Sequence, residues 1–375
     1  MKVVIAIDSF KGSLTSLEAG QAVKEAVLSL DTAADVEVRP LADGGEGTVD
    51  ALYKGLGGEL AEAEVSDPLG RPIKAQYAVI NNDTAVIEMA AAAGITLITA
   101  AERNPLNTTT FGVGQMIANA ISRGIRRFIV GIGGSATNDG GVGMLSALGF
   151  EFLNGEGKAV PLGAKGLKDL AVIKTDNVIP ELYECEFRIA CDVNNTLCGE
   201  NGCSAVYGAQ KGATAEMIEQ MDGWLENYAN IAKSVSKKAD KDLAGAGAAG
   251  GLGFAFASFM NAELESGVKI VLEETRLEEF LKDADIVVTG EGRLDSQTVM
   301  GKAPIGVAWL SKKHGKRVIA FSGCVSEDAE ICNNHGIDAF FPIVRGVTTL
   351  EDALNKDNAY KNLKATAYQV FRIIK

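Results

Sequence analysis

The chain is 375 residues long, with 47% apolar and 23% charged residues, and these values predict a globular protein with more than one domain. Its formal net charge of −13 argues against nucleic acid and an anionic membrane as partners, because both require a basic face. Six cysteines without a C-x-x-C pair and only two histidines argue against a zinc site, and the N-terminal apolar run is too short for a signal peptide, so we expect reduced thiols and a cytoplasmic location.

The first 56 residues alternate between strand and helix patterns. A buried strand is predicted over 2–7, followed by an amphipathic helix over 16–30. A second strand over 36–41 and a helix over 48–56 come next. This βαβα order is typical of a parallel sheet covered by helices.

The pattern changes near Gly57. Residues 58–90 resemble successive strands joined by turns, and because no long helix separates them we predict antiparallel pairing. Between 110 and 148 we predict a helix, a strand, a glycine-rich loop and a second helix. Residues 154–185 are polar and predicted to be irregular, and a short strand is predicted over 187–191.

The uncharged stretch 243–262 is long enough to span a bilayer. It is mostly glycine and alanine, however, and these residues contribute little transfer free energy. We therefore predict a glycine-rich turn followed by a buried helix.

The last part of the chain returns to the α/β pattern. We predict strands at 286–289, 317–321 and 338–341, a helix over 297–313, and one long helix over 350–374.

This organisation predicts a two-domain α/β protein. Residues 1–56 plus 284–375 are predicted to form a discontinuous Rossmann- or flavodoxin-like domain with a parallel sheet. Residues 57–283 are predicted to form an inserted, mixed α/β domain. Ligands of such folds bind at the carboxyl ends of strands, which favours an interdomain cleft.

Five predicted strands are followed by polar loops, each with at least one aspartate: residues 8–13, 43–48, 133–141, 192–195 and 290–295. One such loop alone is more often a plain turn, because Gly, Asn and Asp favour turn geometry. Five of them at strand ends favour a functional site.

The residue types in these loops suit phosphoryl transfer. Glycines let backbone N–H groups approach phosphate oxygens, and a following helix N-terminus favours their negative charge. Aspartates can hold Mg²⁺ or accept the proton of an attacking hydroxyl group. Lys11, Lys211, Arg293 and Lys302 can supply local positive charge, although each alone would be interpreted as a surface charge.

The common nucleotide and hydrolase motifs do not fit. Walker A is absent, since Lys302 is followed by alanine. Residues 245–250 match G-x-G-x-x-G but do not follow a strand, and the first strand leads into Asp8 and Ser9 rather than glycines, so we reject an NAD site. No G-x-S-x-G elbow occurs.

The loop sequences together resemble the type I glycerate kinase family, in order and over nearly the whole chain. The matching segments are DSFKGSLTS at 8–16, PLADGGEGT at 40–48, GIGGSATNDGGVGML at 131–145, CDVNN at 191–195, QKGA at 210–213, GAGAAGG at 245–251 and TGEGRLDSQTVMGKAPIGVA at 289–308. The resemblance implies ATP-dependent phosphorylation of D-glycerate, with Mg²⁺, in a cleft between two α/β domains.

The candidate catalytic residues are Asp192, Asp43 and Lys11. We assign the catalytic base to Asp192 because it directly follows a predicted strand, and we keep Asp43 as the alternative. The candidate substrate- and nucleotide-binding residues are Asp8, Ser9, Gly44, Gly45, Glu46, Gly133, Gly134, Ser135, Asn138, Asp139, Asn194, Lys211, Gly247, Glu291, Arg293, Asp295, Gln297 and Lys302.

Several questions stay open at the level of sequence. A non-catalytic sensor of sugar acids or nucleotides on the same scaffold is the alternative function, although retention of the loop Asp, Lys and Arg residues favours the kinase. The phosphorylated hydroxyl group, the metal ligands and assembly into a homo-oligomer are not decided by the residues.

Overall fold

The structure is a computed structural model that describes residues 1–43 and 47–374. The chain divides into two compact units. Unit 1 comprises Met1–Asp43, Asp50–Gly57 and Val268–Lys375, and unit 2 comprises Gly44–Val49 and Gly58–Gly267.

The strands, numbered in chain order, are β1 (Lys2–Ile5), β2 (Asp35–Val38), β3 (Glu59–Ser66), β4 (Pro72–Ile80), β5 (Thr84–Glu88), β6 (Arg127–Gly131), β7 (Glu151–Asn154), β8 (Leu170–Lys174), β9 (Glu186–Ala190), β10 (Ala262–Glu265), β11 (Ile286–Leu294), β12 (Arg317–Val325) and β13 (Ala339–Pro342).

The α-helices are α1 (Ser16–Leu30), α2 (Thr48–Leu56), α3 (Ala90–Ala93), α4 (Phe111–Ser122), α5 (Val142–Ala147), α6 (Cys203–Tyr207), α7 (Ala215–Ala232), α8 (Ala248–Phe259), α9 (Gly267–Glu274), α10 (Leu277–Leu281), α11 (Ala303–Lys313), α12 (Leu350–Leu354) and α13 (Lys356–Ile374).

Unit 1 contains a parallel sheet with the strand order β13-β12-β11-β1-β2. The chain moves from β1 to β2 in one direction along the sheet and from β11 to β12 in the other. Right-handed crossovers in opposite directions place their helices on opposite faces. Accordingly α1 packs with α13 on one face, and α11 packs on β11 and β12.

Burial of both faces explains the composition of the central strand. Val3, Val4 and Ile5 of β1 are all 0% exposed, so the strand is a continuous apolar run rather than an alternating one. The sheet reverses its order between β1 and β11, and the loops at their carboxyl ends diverge there. Such a switch point is where open α/β sheets bind ligands.

Unit 2 is built on a six-stranded mixed sheet, β10-β9-β6-β5-β4-β3. The pairs β3/β4 and β4/β5 are antiparallel, as predicted for residues 58–90, and the remaining pairs are parallel. A separate antiparallel pair joins β7 and β8. Phe128 and Phe187 stack in the apolar core of this unit, with ring centroids 4.7 Å apart.

The α/β fold class is confirmed, and several predicted elements match closely. The helix from Ser16 to Leu30 begins after Thr15, whose hydroxyl accepts from the Glu18 backbone while the Glu18 carboxylate accepts from the Thr15 backbone. This capping box fixes the helix start. The helix predicted within 243–262 is also present as α8.

Several predicted elements were wrong. Residues 290–294 continue β11 and pair with β12 instead of forming a loop. A Cβ on Gly290 would lie 2.0 Å from the Phe321 carbonyl oxygen, so this glycine permits close approach of two strands rather than a turn. The single helix over 350–374 breaks at Asn355, whose ψ of 124° is not helical. The stretch 154–185 contains β8.

Candidate functional site

The carboxyl ends of the central strands in unit 1 bring together polar side chains that are far apart in sequence. Asp8 follows β1, and its backbone N–H donates to the Gly290 carbonyl of β11 at 2.9 Å. Asp43 follows β2, while Glu291 lies within β11. The switch point of the sheet therefore carries three carboxylates.

These carboxylates repel one another in a partly dry environment. Asp8 is only 7% exposed. Burial, together with the negative charges of Asp43 and Glu291, raises the pKa of the Asp8 carboxyl to about 7. The Lys11 ammonium lies 3.4 Å from an Asp43 carboxylate oxygen, and this neighbour raises the pKa of Lys11.

A second set of charges lies along β11 and the turn that follows it. The Arg293 guanidinium is 3.3 Å from the Asp295 carboxylate, and the Lys302 ammonium is 3.8 Å from Asp295 and 3.9 Å from Glu291. The Thr298 hydroxyl donates to the Glu291 carboxylate at 2.7 Å. These contacts hold Glu291 in place, while burial raises its pKa.

The two sets of charges line one cavity of about 510 Å³ within unit 1. Nine residues singled out from the sequence contribute to its wall: Asp8, Ser9, Lys11, Asp43, Glu291, Arg293, Asp295, Gln297 and Lys302. Gly44, Gly45 and Glu46, also predicted for the site, lie outside the described residues.

In unit 2, the glycine-rich loop 133–141 joins β6 to α5. Gly134, Gly140 and Gly141 all have positive φ, the left-handed region that favours glycine. Gly133 and Gly134 are exposed, whereas residues 136–141 are buried. The start of the loop thus faces outward and its end is part of the core.

A buried lysine holds the middle of this loop. Lys211 is 2% exposed, and its ammonium donates to the Ser135 hydroxyl at 2.9 Å and to the Thr137 carbonyl at 2.6 Å. Burial lowers the pKa of Lys211 to about 8.

Asp139 anchors the end of the loop. Its carboxylate is 0% exposed and accepts hydrogen bonds from the backbone N–H groups of Thr110, Gly141 and Gly143 and from the hydroxyls of Thr109 and Thr110. Asn138 is buried as well and donates to the Ser204 hydroxyl at 2.8 Å. These two side chains fix the shape of the loop from inside.

The G-x-G-x-x-G segment packs its backbone against other loops of unit 2. A Cβ on Gly247 would lie 2.1 Å from the Thr196 carbonyl oxygen, and one on Gly250 would lie 2.1 Å from that of Thr137. The Gly140 N–H donates to the Gly250 carbonyl at 2.9 Å. The glycines here allow close packing of the backbone.

The predicted catalytic Asp192 follows β9 and is exposed, as is Asn194. A carboxylate oxygen of Asp192 accepts from the Gly267 backbone N–H at 3.2 Å. The side chain is therefore held at the surface of unit 2 at a strand end. The roles predicted for the individual site residues stay predictions.

Sequence reasoning missed several residues that line or support the cavity. Thr298, Cys324, Leu350, Leu354 and Asn362 contact the charged residues or the cavity itself. Thr298 was detectable, because it follows Gln297 within a matching segment. The others belong to a strand and two helices in which no local motif distinguishes them.

No helix within 1–43 and 47–374 is both long and apolar enough to cross a membrane. Within the same ranges, no group of three or more His, Cys, Asp or Glu side chains is arranged to hold a metal ion.

Comparison with known proteins gives matches along the entire fold. A model of the glycerate kinase family matches residues 3–375. A glycerate kinase of Haemophilus influenzae is 46% identical, covering 100% of this chain and 99% of that protein. A glycerate kinase of Bacillus subtilis is 45% identical, covering 100% and 98%. The glycerate 2-kinase of Escherichia coli is 43% identical, covering 97% and 95%.

A solved structure agrees with these matches. The crystal structure of a glycerate kinase 2 from Salmonella typhimurium LT2 superposes with a TM-score of 0.92 at 44% identity. The superposition covers 100% of this chain and 98% of the other. The two proteins are therefore similar in both fold and sequence.

Proposed function

The chain belongs to the glycerate kinase family, and on this premise we propose that it transfers the terminal phosphoryl group of ATP to a hydroxyl group of D-glycerate. The observation that carries the proposal is the cavity of unit 1, where nine polar residues chosen from the sequence line one wall. Phosphoryl transfer needs positioned cations and carboxylates rather than covalent chemistry by the protein, and this wall supplies both.

We propose the hydroxyl group on carbon 2 as the acceptor. One relative, 43% identical, is named a glycerate 2-kinase, which supports this choice. In the reaction the hydroxyl oxygen forms a bond to the terminal phosphorus of ATP, and the bond from that phosphorus to ADP breaks. The hydroxyl proton must pass to a base, and the products are 2-phosphoglycerate and ADP.

The residues around Asp8 fit a magnesium ion that arrives with the nucleotide. Mg²⁺ prefers carboxylate oxygens and is usually held by one or two of them together with substrate phosphates. Burial and the negative charges of Asp43 and Glu291 raise the pKa of Asp8, and a bound divalent cation would relieve the repulsion between these charges. Asp8 and Asp43 would hold the ion, which when bound would neutralise charge on the phosphoryl oxygens.

For the proton acceptor we propose Asp192, with Asp43 as the alternative. Both are strand-end carboxylates. Asp192 is exposed, and its contact with the Gly267 N–H orients the group. Asp43 lies 3.4 Å from the Lys11 ammonium, so this ion pair already engages one of its carboxylate oxygens.

We place the reaction in the cytoplasm, which the cysteines support because all six are free thiols.

A coupled assay of ADP release tests the function directly. D-glycerate with ATP and Mg²⁺ should be turned over, and L-glycerate poorly. Release of ADP at the background rate with D-glycerate would contradict the proposal, and binding of both ligands without turnover would indicate the sensor instead.

Phosphorus NMR of the product tests the position of transfer. Without proton decoupling, a phosphate on carbon 2 couples to one proton and gives a doublet, whereas a phosphate on carbon 3 couples to two and gives a triplet. A triplet would show that the primary hydroxyl group is the acceptor.

A further inference from the structure

The cavity of unit 1 is larger and more apolar than glycerate requires. Its volume of about 510 Å³ lies in the range of pockets that enclose drug-sized ligands. Every carbon of D-glycerate bears oxygen, so this substrate has no apolar group to place against a hydrocarbon wall. Part of the cavity therefore suits a different and larger ligand.

The wall of the cavity has two chemically distinct parts. One part carries the charges of Lys11, Arg293 and Lys302 with their acidic neighbours. The other part is apolar and includes Phe10 and Leu350. A ligand that matches both parts has an anionic end and a flat apolar end.

The apolar part is incompletely covered by the protein itself. Phe10 and Ile343 are each 3% exposed and form its floor. Leu350 and Leu354, one turn apart on α12, also line the cavity but are 76% and 40% exposed. A planar ring placed between this floor and these leucines would remove apolar surface from water.

The polar side chains that line the cavity include Asn362. Asn362 on α13 lines the cavity and is half-buried, and its amide makes no hydrogen bond within the part of the chain that the structure describes. A carboxamide offers one acceptor and a pair of donors, the set that matches the edge of an adenine ring.

We propose that this cavity binds the nucleotide, with the base between Ile343 and the α12 leucines, the Asn362 amide on the base edge, and the phosphates toward Arg293 and Lys302. The proposal rests on the proposed function for the identity of the nucleotide as ATP. It adds the location of the base and the residue that reads it.

This arrangement predicts that loss of the Asn362 amide changes the KM for ATP and not the KM for D-glycerate. Asn362→Leu keeps the size of the side chain and removes its amide, so the KM for ATP should rise about five- to tenfold, the value of one hydrogen bond. The KM for D-glycerate should stay within about twofold. Lys361→Ala, a change of the exposed neighbour on the same helix, is the matched control and should alter neither constant.

Protection of a cysteine thiol from alkylation tests the site without relying on turnover. Cys324 lines the cavity and is exposed, whereas the other cysteines are buried or half-buried. We expect ATP with Mg²⁺ to slow alkylation of Cys324 by N-ethylmaleimide, followed by mass spectrometry, and D-glycerate to leave the rate unchanged. Cys324→Ser identifies any label placed elsewhere.

The outcomes separate this proposal from the activity itself. Protection by ATP in a protein that does not turn over D-glycerate would support the nucleotide site and contradict the proposed reaction. Protection by D-glycerate alone, or by neither ligand, would overturn the nucleotide site. Protection by ATP with the same half-protecting concentration in Asn362→Leu would overturn the placement of the base.

Discussion

The glycine-rich loop of unit 2 and the charged cavity of unit 1 both place polar residues after strands, but they treat charge in opposite ways. In the loop, the buried carboxylate of Asp139 accepts several hydrogen bonds from its own unit, and Lys211 donates to Ser135 and Thr137. In the cavity, Asp8 faces the like charges of Asp43 and Glu291.

The difference indicates that the two regions have different roles. A buried polar network that is well supplied with partners rigidifies the backbone around it. Crowded like charges do the reverse, because they store electrostatic repulsion that a ligand or cation can relieve. Loop 133–141 is therefore built to keep a shape, and the cavity is built to receive charge.

The largest expected effect is a loss of stability when loop 133–141 loses its buried carboxylate. Asp139→Ala removes the acceptor for several buried N–H and O–H groups, each of which costs about 1–3 kcal/mol when left unsatisfied. We expect the free energy of unfolding to fall by at least about 3 kcal/mol, measured by urea denaturation. Asp176→Ala, at an exposed aspartate of the same unit, is the control. A loss below about 1 kcal/mol would show that the network is not structural.

The next effect concerns the proton acceptor. Asp192→Asn is nearly isosteric but cannot accept the proton, so kcat should fall about 10²-fold or more while D-glycerate still binds. Asp176→Asn should leave kcat unchanged. Retention of most activity in Asp192→Asn together with its loss in Asp43→Asn would move the base to the cavity. A raised Mg²⁺ requirement would make Asp192 a metal ligand instead.

A smaller effect is expected at the cations of the cavity. Arg293→Ala removes a charge-assisted contact to an anionic ligand, which should weaken binding by about ten- to a hundredfold. Steady-state kinetics would show this weaker binding as a raised KM for the ligand that Arg293 contacts. Arg372→Ala, an exposed arginine of α13 away from the cavity, is the matched control. If Arg293→Ala leaves both KM values and kcat within twofold, the role is wrong.

The most gradual effect is in the pH dependence of stability. The folded pKa of Asp8 is about 7, above its unfolded value near 3.8, so the folded state binds the proton more tightly between these values. Stability from this group is present below about pH 4 and is lost as pH rises through 7, by at most about 1.4 kcal/mol per pH unit.

Asp8→Asn removes this contribution. The variant should therefore show a flatter dependence of unfolding free energy on pH between 4 and 7 than the wild type, measured without ligands. Identical slopes would mean that the pKa of Asp8 is not raised in the folded protein.

Local signals predicted much of the fold. The helix Ser16–Leu30 was correct at both ends because an apolar face and a capping residue are encoded within its own sequence. The β11 strand was cut short at Gly290 because glycine and charge resemble a loop, and the pairing with β12 that extends it depends on residues more than twenty positions away.

The candidate site shows the same distinction between local sequence signals and long-range packing. Strand-end aspartates such as Asp8 and Asp43 were found from sequence because the rule for parallel sheets concerns neighbours in the chain. Asn362 and Leu354 were missed because only the packing of α12 and α13 brings them to the cavity. The buried anchoring of Asp139 was hidden too, since its threonine partners lie about thirty residues earlier.

The central position of β1 has a consequence for biosynthesis. Val3 pairs with Ile286, so β1 borders a strand that is translated roughly 280 residues later. At typical elongation rates this delay is on the order of tens of seconds. During that interval the apolar run Val3–Val4–Ile5 lacks one edge partner, while the Gly58–Gly267 segment has been made without interruption. The nascent β1 segment is therefore where a holding chaperone would be of most use.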